Sequence, residues 1–414
     1  MATLILNRIQ PFIEPLLRKQ QSGFRPGRSC VDQINTLRII IEQSLEWRSP
    51  AYLLFIDFER AFDKVSRNAI WEALKRFNVP DHIISLICEL YNGAECCVRF
   101  KGHNSEKFQN TSGVRQGCVL SPLLFLVILD AVMDKLDRSV ELGIQWRPFE
   151  KLGDLNYADD MCFITHNFQD KKDKFEKLSA IANSVGLKIN LKKTKLMRIG
   201  TTNKDPFSVT INSTQHVIED VESFCYLGSI VSIDGGTEQD IKTRISKARV
   251  AFYKLNKVWH NRNISRKLKL SLFSSCVKSV LLYSSETWKV TDKIMGQLQT
   301  FINSCLRRIC RIFWPYTISN IDLWQLTSSK EISKEILERK WRWIGHTLRK
   351  PADDIARMAF EYDPQGSRQR GRPRMTWRRS IILESKKFGT WKQIKKMAQD
   401  RTQWKNFVSA LCSG

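Results

Sequence analysis

The sequence lacks the cysteine spacing that marks a zinc-binding or disulfide-bonded protein. Its 11 cysteines form no Cys-x-x-Cys pair, and Cys305 and Cys310 have no histidine close to them in the chain. An odd number of irregularly spaced cysteines is typical of proteins from reducing compartments. We therefore expect an intracellular protein whose cysteines are free thiols.

Long apolar segments and targeting signals are also missing. The longest apolar run, Leu123–Leu129, is far shorter than the roughly 20 residues that cross a bilayer as a helix. No basic stretch followed by an apolar core resembles a signal peptide. The sequence therefore predicts no membrane partner.

The charge of the chain is strongly positive but unevenly distributed. Of the 414 residues 42% are hydrophobic, enough for two or three packed domains, and the formal net charge is +25. Residues 1–240 carry 30 basic and 30 acidic residues, so residues 241–414 supply the whole excess. A neutral part joined to a basic part indicates a polyanionic partner that is held mainly by the second part.

Two carboxylate sites stand out in the neutral part. Tyr52–Ile56 is an apolar run typical of a buried strand and leads directly into Asp57. Asn156–Asp160 places two adjacent aspartates at the turn of a predicted hairpin. An isolated Asp-Asp pair is usually a solvent-exposed turn. Between the two sites, however, Ser112–Pro122 is a glycine-containing loop that opens a strongly apolar helix.

These residue types suit a site for two metal ions. Mg²⁺ is usually held by one or two carboxylates together with substrate phosphates. Two such ions, roughly 3.5–4 Å apart, stabilise the attacking and leaving oxygens of an in-line displacement. Only a sheet that pairs their strands can bring Asp57 next to Asp159 and Asp160. Without cations the three carboxylates would repel one another, which raises one or more of their pKa values.

Six motif blocks follow one another between about residues 20 and 230 of the sequence. They are Gln21–Cys30, Phe55–Val65, Gly113–Pro122, Tyr157–Asp160, Gly186–Lys195 and Tyr226–Gly228. In this order the blocks resemble the reverse transcriptases of non-LTR (LINE-like) retrotransposons. The Tyr-Ala-Asp-Asp block is the most specific of the six.

The resemblance implies a catalytic metal site. Asp57 and Asp159 correspond to the metal-binding catalytic aspartates, with Asp160 as their partner. The main-chain carbonyl of Phe58 would be a further metal ligand. The implied cofactor is a pair of Mg²⁺ ions, with Mn²⁺ as a substitute.

The resemblance also implies a nucleotide site next to the metals. Phe62 corresponds to the bulky residue that blocks a ribose 2′-hydroxyl and so selects deoxynucleotides. Gln116 and Gly117 correspond to a loop that packs on the incoming base pair and the template. Lys193 corresponds to a lysine placed near the triphosphate.

Arginines in three regions are predicted to contact nucleic acid. Gly23–Arg28 is a basic loop, for which a plain turn is the alternative interpretation. In the tail, basic residues alternate with aromatics, a pattern that suits phosphate contact and base stacking. Gly366–Arg379 is expected to be an exposed loop. The predicted contacts are Arg25, Arg28, Arg115, Arg370, Arg372, Arg374, Arg378 and Arg379.

The predicted fold is α+β. A right-hand polymerase palm, an antiparallel sheet with flanking helices, precedes a helical thumb and a basic helical tail whose last helix covers Trp391–Leu411. The predicted segments are 1–50 for partial fingers, 51–236 for the palm, 237–328 for the thumb and 329–414 for the tail. By resemblance, the first fingers strands and an endonuclease are expected to lie outside this chain, so nicking would need another protein or a missing domain.

The leading hypothesis is an RNA-directed DNA polymerase that extends a DNA primer on an RNA template with deoxynucleoside triphosphates. By resemblance it would act at nicked chromosomal DNA in the nucleus, with a cytoplasmic ribonucleoprotein stage. The alternative is a catalytically inactive or domesticated remnant that binds RNA or DNA through its basic half. A third hypothesis, an RNA-dependent RNA polymerase, is disfavoured by the bulk of Phe62.

Overall fold

The computed structural model describes residues 1–139, 142–211, 213–368 and 370–413. The chain forms two compact units that each contain several chain segments. The first unit contains Met1–Gln33, Gln43–Glu222 and Tyr362–Arg368, and the second contains Ile34–Glu42, Ser223–Glu361 and Gln369–Gly414. Sheet and helix together confirm the predicted α+β class.

The first unit is built around a six-stranded sheet. Its helices are α1 (Ala2–Ile13), the two ends of α2 (Cys30–Glu46), whose middle residues Ile34–Glu42 belong to the second unit, α3 (Ala61–Lys64), α4 (Arg67–Arg76), α5 (Asp81–Tyr91), α6 (Ser121–Ser139) and α7 (Phe168–Ser184). Its strands are β1 (Ala51–Ile56), β2 (Glu95–Cys96), β3 (Arg99–Phe100), β4 (His103–Asn104), β5 (Phe108–Gln109), β6 (Ile144–Arg147), β7 (Glu150–Leu152), β8 (Asp154–Tyr157), β9 (Asp160–Thr165), β10 (Lys195–Ile199), β11 (Phe207–Ile211) and β12 (Thr214–Asp220). The large sheet has the order β11-β12-β10-β1-β9-β8.

Strand β1 lies in the interior of this sheet because its apolar run is buried on both faces. All six of its residues are buried, and it pairs antiparallel with β9 on one side and β10 on the other. The strand predicted before Asp57 is therefore confirmed. The sheet is not wholly antiparallel as predicted, because the β11–β12 hairpin returns β12 alongside β10 in parallel register.

Helix α6 is buried along nearly its whole length, as its apolar pattern predicts. The residues Leu123–Leu129 are at most 5% exposed. Pro122 is the second residue of the helix, where a missing N–H costs no helical hydrogen bond. No helix within the described ranges is long and apolar enough to cross a membrane.

A short segment late in the chain, Tyr362–Arg368, belongs to the first unit rather than to the tail around it. Tyr362 stacks on Trp146 with ring centroids 4.7 Å apart. The guanidinium of Arg368 lies 4.4 Å from the ring centre of Trp47, and its Nε is 2.8 Å from a carboxylate oxygen of Glu46. The compact units therefore do not coincide with the four predicted segments, whose assignment to fingers, palm, thumb and tail stays a prediction.

The second unit is mainly helical. It contains β13 (Ser223–Tyr226), β14 (Ser229–Ser232), α8 (Glu238–Lys254), α9 (Asn256–His260), α10 (Arg266–Leu272), α11 (Ser279–Leu281), α12 (Asp292–Cys310), α13 (Asn320–Thr327), α14 (Ile332–Leu348), α15 (Ile355–Ala359), α16 (Trp377–Ser385), α17 (Trp391–Met397) and α18 (Arg401–Ser413). A buried ion pair between Arg38 and Asp240, 3.0 Å long, ties the middle of α2 to α8. Asp240 also accepts hydrogen bonds from Ser229 and Trp288.

The tail differs from its prediction in two respects. The helix predicted over Trp391–Leu411 is two helices, α17 and α18, which are separated at residues 398–400. The exposed loop predicted to reach Arg379 ends earlier, because Thr376 caps α16 by accepting a hydrogen bond from the Arg379 N–H. Trp377, at the start of α16, is buried and stacks on Phe360 with 5.7 Å between ring centroids. It therefore belongs to the core and is not available to stack on bases.

Candidate active site

The two predicted carboxylate sites meet at one end of the central sheet. Strands β8 and β9 pair as Tyr157↔Asp160, so Ala158 and Asp159 form a two-residue turn. Ala158 has a φ of +54°, which the tight hairpin requires. On the other side of β9, Met161 pairs with Ile56 in β1. Asp57 follows Ile56 directly, so the sheet register places it beside the aspartate hairpin.

The three carboxylates affect one another's ionisation. Burial, followed by repulsion from Asp159 and Asp57, raises the pKa of Asp160 to about 6. Burial also raises the pKa of Asp159, and Asp57 adds repulsion. Such shifts are expected where like charges share a partly desolvated site. Cations at this site would relieve the repulsion.

Lys193 provides a positive charge next to these carboxylates. Its Nζ lies 3.3 Å from Oδ2 of Asp57, and its side chain is 67% exposed. The segment that carries it is anchored because the Asn190 N–H donates to the main-chain oxygen of Asp57 at 2.8 Å. A mobile ammonium at this place could contact either the carboxylates or an anionic substrate.

The direction of the Phe58 carbonyl follows from the hydrogen bonds on either side of this residue. Phe58 pairs with Ile189, but the flanking hydrogen bonds are made by the Asp57 oxygen and the Glu59 N–H. In an antiparallel pair, the residue between two such bonds directs its own N–H and C=O to the opposite side. The Phe58 carbonyl therefore points to the side of β1 on which β9 and the aspartates lie.

The site fits a hard divalent cation. Oδ2 of Asp57 is buried and accepts no hydrogen bond from the described residues, so its described partner is the Lys193 ammonium, an ion pair at 3.3 Å. Two carboxylates and a main-chain carbonyl are the oxygen donors that Mg²⁺ accepts, with substrate phosphates completing its coordination. In the described part of the chain, no three His, Cys, Asp or Glu side chains converge closely enough to hold a metal by themselves. A site that shares its metal with substrate does not need such a cage.

A glutamine that the sequence did not single out holds the aspartate hairpin in place. Oε1 of buried Gln21 accepts hydrogen bonds of 2.8 Å from the N–H groups of both Gly23 and Ala158. Its Nε2 donates to the Ala158 oxygen at 3.3 Å. A side chain at Gly23 would overlap the Ala158 main chain, so only glycine allows this close approach. The Gln21–Cys30 block thus stabilises the turn formed by Ala158 and Asp159.

A buried charge network supports the strand that leads into the hairpin. Asp154, the first residue of β8, accepts two hydrogen bonds from Arg18, at 2.9 and 3.1 Å. Lys174 lies 3.5 Å away. Burial alone would raise the pKa of Asp154, but the charges of Arg18 and Lys174 lower it. Breaking such a pair typically costs about 3–5 kcal/mol.

The other three predicted nucleotide residues, Phe62, Gln116 and Gly117, lie in a second cluster. Phe62 is half-buried and stacks on Phe125 with ring centroids 4.3 Å apart. The glycine-containing loop is joined to the same segment, because the Val114 N–H donates to the Phe62 oxygen at 2.8 Å. Gln116, through Nε2, donates to Asp63 at 2.9 Å. Gly117 is exposed on the same loop as Gln116, and Phe62 beside this loop is half-buried.

The prediction that Arg25 contacts nucleic acid is wrong. Arg25 is buried, and its guanidinium donates to the Glu14 carboxylate at 2.8 Å and to the main-chain oxygens of Arg18, Gln21 and Glu14. These bonds use Nε, Nη1 and Nη2, so Arg25 is a structural residue that braces the loop around Gln21. Arg28 is less buried, but it also donates within the protein, to the Lys19 oxygen at 2.8 Å.

The other predicted nucleic-acid arginines lie in three settings. Arg115 is exposed, and its guanidinium stands 5.2 Å from the ring centre of Tyr91. In the tail, Arg370, Arg372 and Arg374 are exposed in the loop before α16, whereas Arg378 and Arg379 are half-buried in its first turn. Their contact with nucleic acid stays a prediction.

The residues missed by sequence reasoning are uncharged or unexpectedly buried. Gln21 lies within a recognised block, but nothing in its type or spacing indicates that it bonds to a hairpin far away in sequence. Asp154 carried a usable signal, because an aspartate within an apolar strand pattern is unusual. Such a residue predicts a buried ionic partner, although only the structure identifies Arg18.

The comparisons with known proteins agree with this geometry. The family described as "Reverse transcriptase (RNA-dependent DNA polymerase)" matches residues 1–231. The Pol polyprotein of the type-2 retrotransposable element R2DM of Drosophila melanogaster is 26% identical over 179 residues, which are 42% of this chain and 16% of that protein. The RNA-directed DNA polymerase from mobile element jockey of Drosophila funebris is 23% identical over 335 residues, 77% of this chain and 35% of that protein. The chain thus spans a minor part of both relatives.

Among solved structures, apo telomerase from Candida tropicalis has a TM-score of 0.40 and 12% identity, over 87% of this chain and 59% of that chain. The family match is the stronger finding, since it covers more than half of the chain and includes every residue of the aspartate site. This chain therefore belongs to the reverse transcriptase (RNA-dependent DNA polymerase) family and is similar to the enzymes of non-LTR retrotransposons.

Proposed function

We propose that this chain is an RNA-directed DNA polymerase of a non-LTR retrotransposon, which extends the 3′-hydroxyl of a DNA primer on an RNA template. The observation that carries this proposal is the meeting of Asp57 with the Asp159–Asp160 hairpin on adjacent strands. Family membership and the similarity to the RNA-directed DNA polymerase from mobile element jockey support it.

Two Mg²⁺ ions, or Mn²⁺ in their place, would stabilise the attacking and leaving oxygens when held by Asp57, Asp159, Asp160 and the Phe58 carbonyl. The part of the protein is to keep these ligands ionised and in position. Strand β1 and the hairpin set the positions, and Gln21 prevents the hairpin from shifting. Because cations offset the mutual repulsion, the raised pKa values are a property of the protein without metal.

The neighbouring residues supply nucleotide selection. Lys193 is close enough to Asp57 to exchange its carboxylate contact for a substrate phosphate. The Phe62 ring is held by its stack on Phe125, so it cannot easily move aside for a ribose 2′-hydroxyl. Gln116 and Gly117, on the loop bonded to Phe62, are proposed to contact the base pair and template.

Primer extension tests the central proposal. The purified chain, an RNA template with annealed DNA primer, deoxynucleotides and Mg²⁺ should give extension products. Asp159→Ala should abolish them, whereas Asp173→Ala, which removes an exposed aspartate from α7, should not. Failure of the parent to extend while it still binds the duplex would contradict the proposal and favour the inactive-remnant alternative.

A second assay tests the selection of deoxynucleotides. Phe62→Ala removes the proposed barrier and should raise incorporation of ribonucleotides relative to deoxynucleotides. Phe100→Ala, which truncates an exposed phenylalanine on a two-stranded ribbon, serves as the control. An unchanged ratio in Phe62→Ala would remove Phe62 from this role.

The tail arginines are proposed to bind RNA or DNA phosphates. Reversing Arg370, Arg372 and Arg374 to glutamate should weaken binding and make its salt dependence shallower. The same replacement of Arg378 and Arg379 separates the half-buried pair from the exposed loop. Unchanged affinity in both variants would exclude this part of the proposal.

Nuclear localisation, with a cytoplasmic ribonucleoprotein stage, belongs to the same proposal, because copying at chromosomal target DNA requires access to it. Nicking of that DNA is assigned to an endonuclease outside this chain. Imaging of a fluorescently tagged chain checks the location. A tagged chain that never enters the nucleus would contradict it.

A further inference from the structure

A groove in the second unit lies between helices α14 and α18. Its volume is about 950 Å³, and it is separate from the aspartate site and from the arginine loop before α16. The helices approach closely because Gly345 leaves room for the Trp404 indole, whose N–H donates to the Trp341 oxygen at 2.9 Å. The floor of the groove is therefore a packed helix pair.

The lining of the groove is strongly basic. On the α14 side its residues recur every three or four positions, which places them on one helix face. Six basic side chains line it, namely Lys330, Lys334, Arg342, Arg349, Arg401 and Lys405. Glu338 is the acidic residue of the lining, and it pairs with Lys330 and Arg342.

Several of these cations have no acidic partner. Within the described ranges, Lys334, Arg401 and Lys405 form no ion pair, and all three are exposed. Arg349, directly after α14, and Arg401, the first residue of α18, both line the groove; Arg349 donates through Nη1 to the Ala398 oxygen at 3.0 Å, and burial, then repulsion from Arg401, lowers its pKa. Unpaired like charges facing one another favour an anion between them.

The length of the charged face favours a polymer over a small anion. At 1.5 Å per residue, the rise from Lys334 to Arg349 along α14 is roughly 22 Å. A stacked strand carries one phosphate per 3.4 Å, so the face could meet about six phosphates. A bilayer is flat and would reach the rim of such a groove but not its floor.

We infer that the groove between α14 and α18 binds the phosphate backbone of a single nucleic-acid strand. This site goes beyond polymerisation, since no residue of the aspartate site contributes to it. Its chemistry recognises phosphodiesters and does not by itself distinguish RNA from DNA. The groove would let the second unit bind nucleic acid independently of catalysis.

Fluorescence anisotropy with the full chain tests this inference. The probes are a labelled single-stranded RNA of about 20 nucleotides, chosen to exceed the roughly six phosphates estimated above, and DNA of the same sequence, both in EDTA. The groove variant combines Arg342→Glu, Arg401→Glu and Lys405→Glu. It should bind at least one of the two strands about tenfold more weakly, and the slope of log K against log salt should be shallower by about 2.

The matched control places the same charge change elsewhere in the second unit. Lys386→Glu, Lys387→Glu and Lys392→Glu are exposed and do not line the groove. An equal loss in control and groove variant would overturn the inference, because overall charge would then explain binding. A groove variant that loses only its binding to phosphatidylserine vesicles, and keeps both strands, would overturn it in favour of a membrane surface.

Removing the acidic residue of the lining gives a test in the opposite direction. Glu338→Gln frees Lys330 and Arg342 and should tighten strand binding several-fold, whereas Glu361→Gln, which removes a carboxylate paired with Lys395 outside the groove, should not. No tightening would count against the groove. Primer extension at saturating template separates this inference from the proposed polymerase, because the groove variant should retain it and Asp159→Ala should retain strand binding.

Discussion

Asp160→Asn should stabilise the metal-free protein while it removes the stabilisation that Mg²⁺ provides. The pKa of Asp160 is raised from 3.8 to about 6 in the folded protein. A carboxyl group with a raised pKa supports the fold fully below pH 3.8, and that contribution is lost as the pH rises through 6. At pH 8 the ionised carboxylate therefore opposes folding.

The size of this effect follows from the shift and from the exposure of the side chain. The full difference between the two pKa values corresponds to about 3 kcal/mol. The carboxylate lies in a partly desolvated site, but more than a third of the Asp160 residue surface stays accessible to solvent, so screening reduces the usable part to about 1 kcal/mol. For a unit of this size, 1 kcal/mol raises the melting temperature by about 2–4 °C.

Thermal unfolding in EDTA at pH 8 and pH 5 is the assay. Asp160→Asn should melt higher than the parent at pH 8, and the difference should shrink at pH 5. The control, Asp173→Asn on α7, should show no such pattern. Mg²⁺ at ten times its dissociation constant should stabilise the parent by about 1.4 kcal/mol and the variant much less. A variant that melts lower than the parent in EDTA at pH 8 would refute the reasoning.

Three further predictions concern other parts of the chain. Gln21→Ala leaves the buried Ala158 N–H without its acceptor, so it should lower the free energy of unfolding by about 1–3 kcal/mol. It should also raise the Mg²⁺ concentration needed for primer extension. The control, Gln20→Ala, should have neither effect. Lys171 is buried among three aromatic rings, and burial, then Arg198, lowers its pKa to about 7. Lys171→Met should therefore raise the free energy of unfolding by about 1–3 kcal/mol at pH 7. This gain should vanish above pH 10.5, because the lysine is then neutral in both the folded and the unfolded state. Equal gains at both pH values would contradict the prediction. Gly345→Ala would force a methyl group into the Trp404 indole, so limited proteolysis should release the end of the chain faster than from Gly296→Ala, whose site is open.

The candidate active site could be predicted from the sequence because its signals are local. The local pattern predicts each element: an apolar run predicts the strand that ends before Asp57, and the adjacent aspartates between apolar residues predict the hairpin. Pairing of their strands is then the arrangement that gives the carboxylates a shared function. The charge division between residues 1–240 and 241–414 is likewise a property of composition alone.

Other features depended on contacts between residues far apart in the chain. The basic Gly23–Arg28 loop predicts that Arg25 contacts nucleic acid, yet its guanidinium pairs with the Glu14 carboxylate and donates to nearby main-chain oxygens. The partner of Trp377 likewise comes only from the fold, because its ring stacks on Phe360.

The sequence by itself determined the candidate chemistry of this protein: which carboxylates form the proposed metal site, where their strands lie and which part of the chain is basic. Only the tertiary structure decided which polar residues serve that chemistry from within. Gln21 and Arg18 hold the aspartate strands, and Gly345 sets the groove between α14 and α18. The physical reason is that a catalytic group is recognised by its own type and spacing, whereas a supporting group is defined by the partner that folding brings to it.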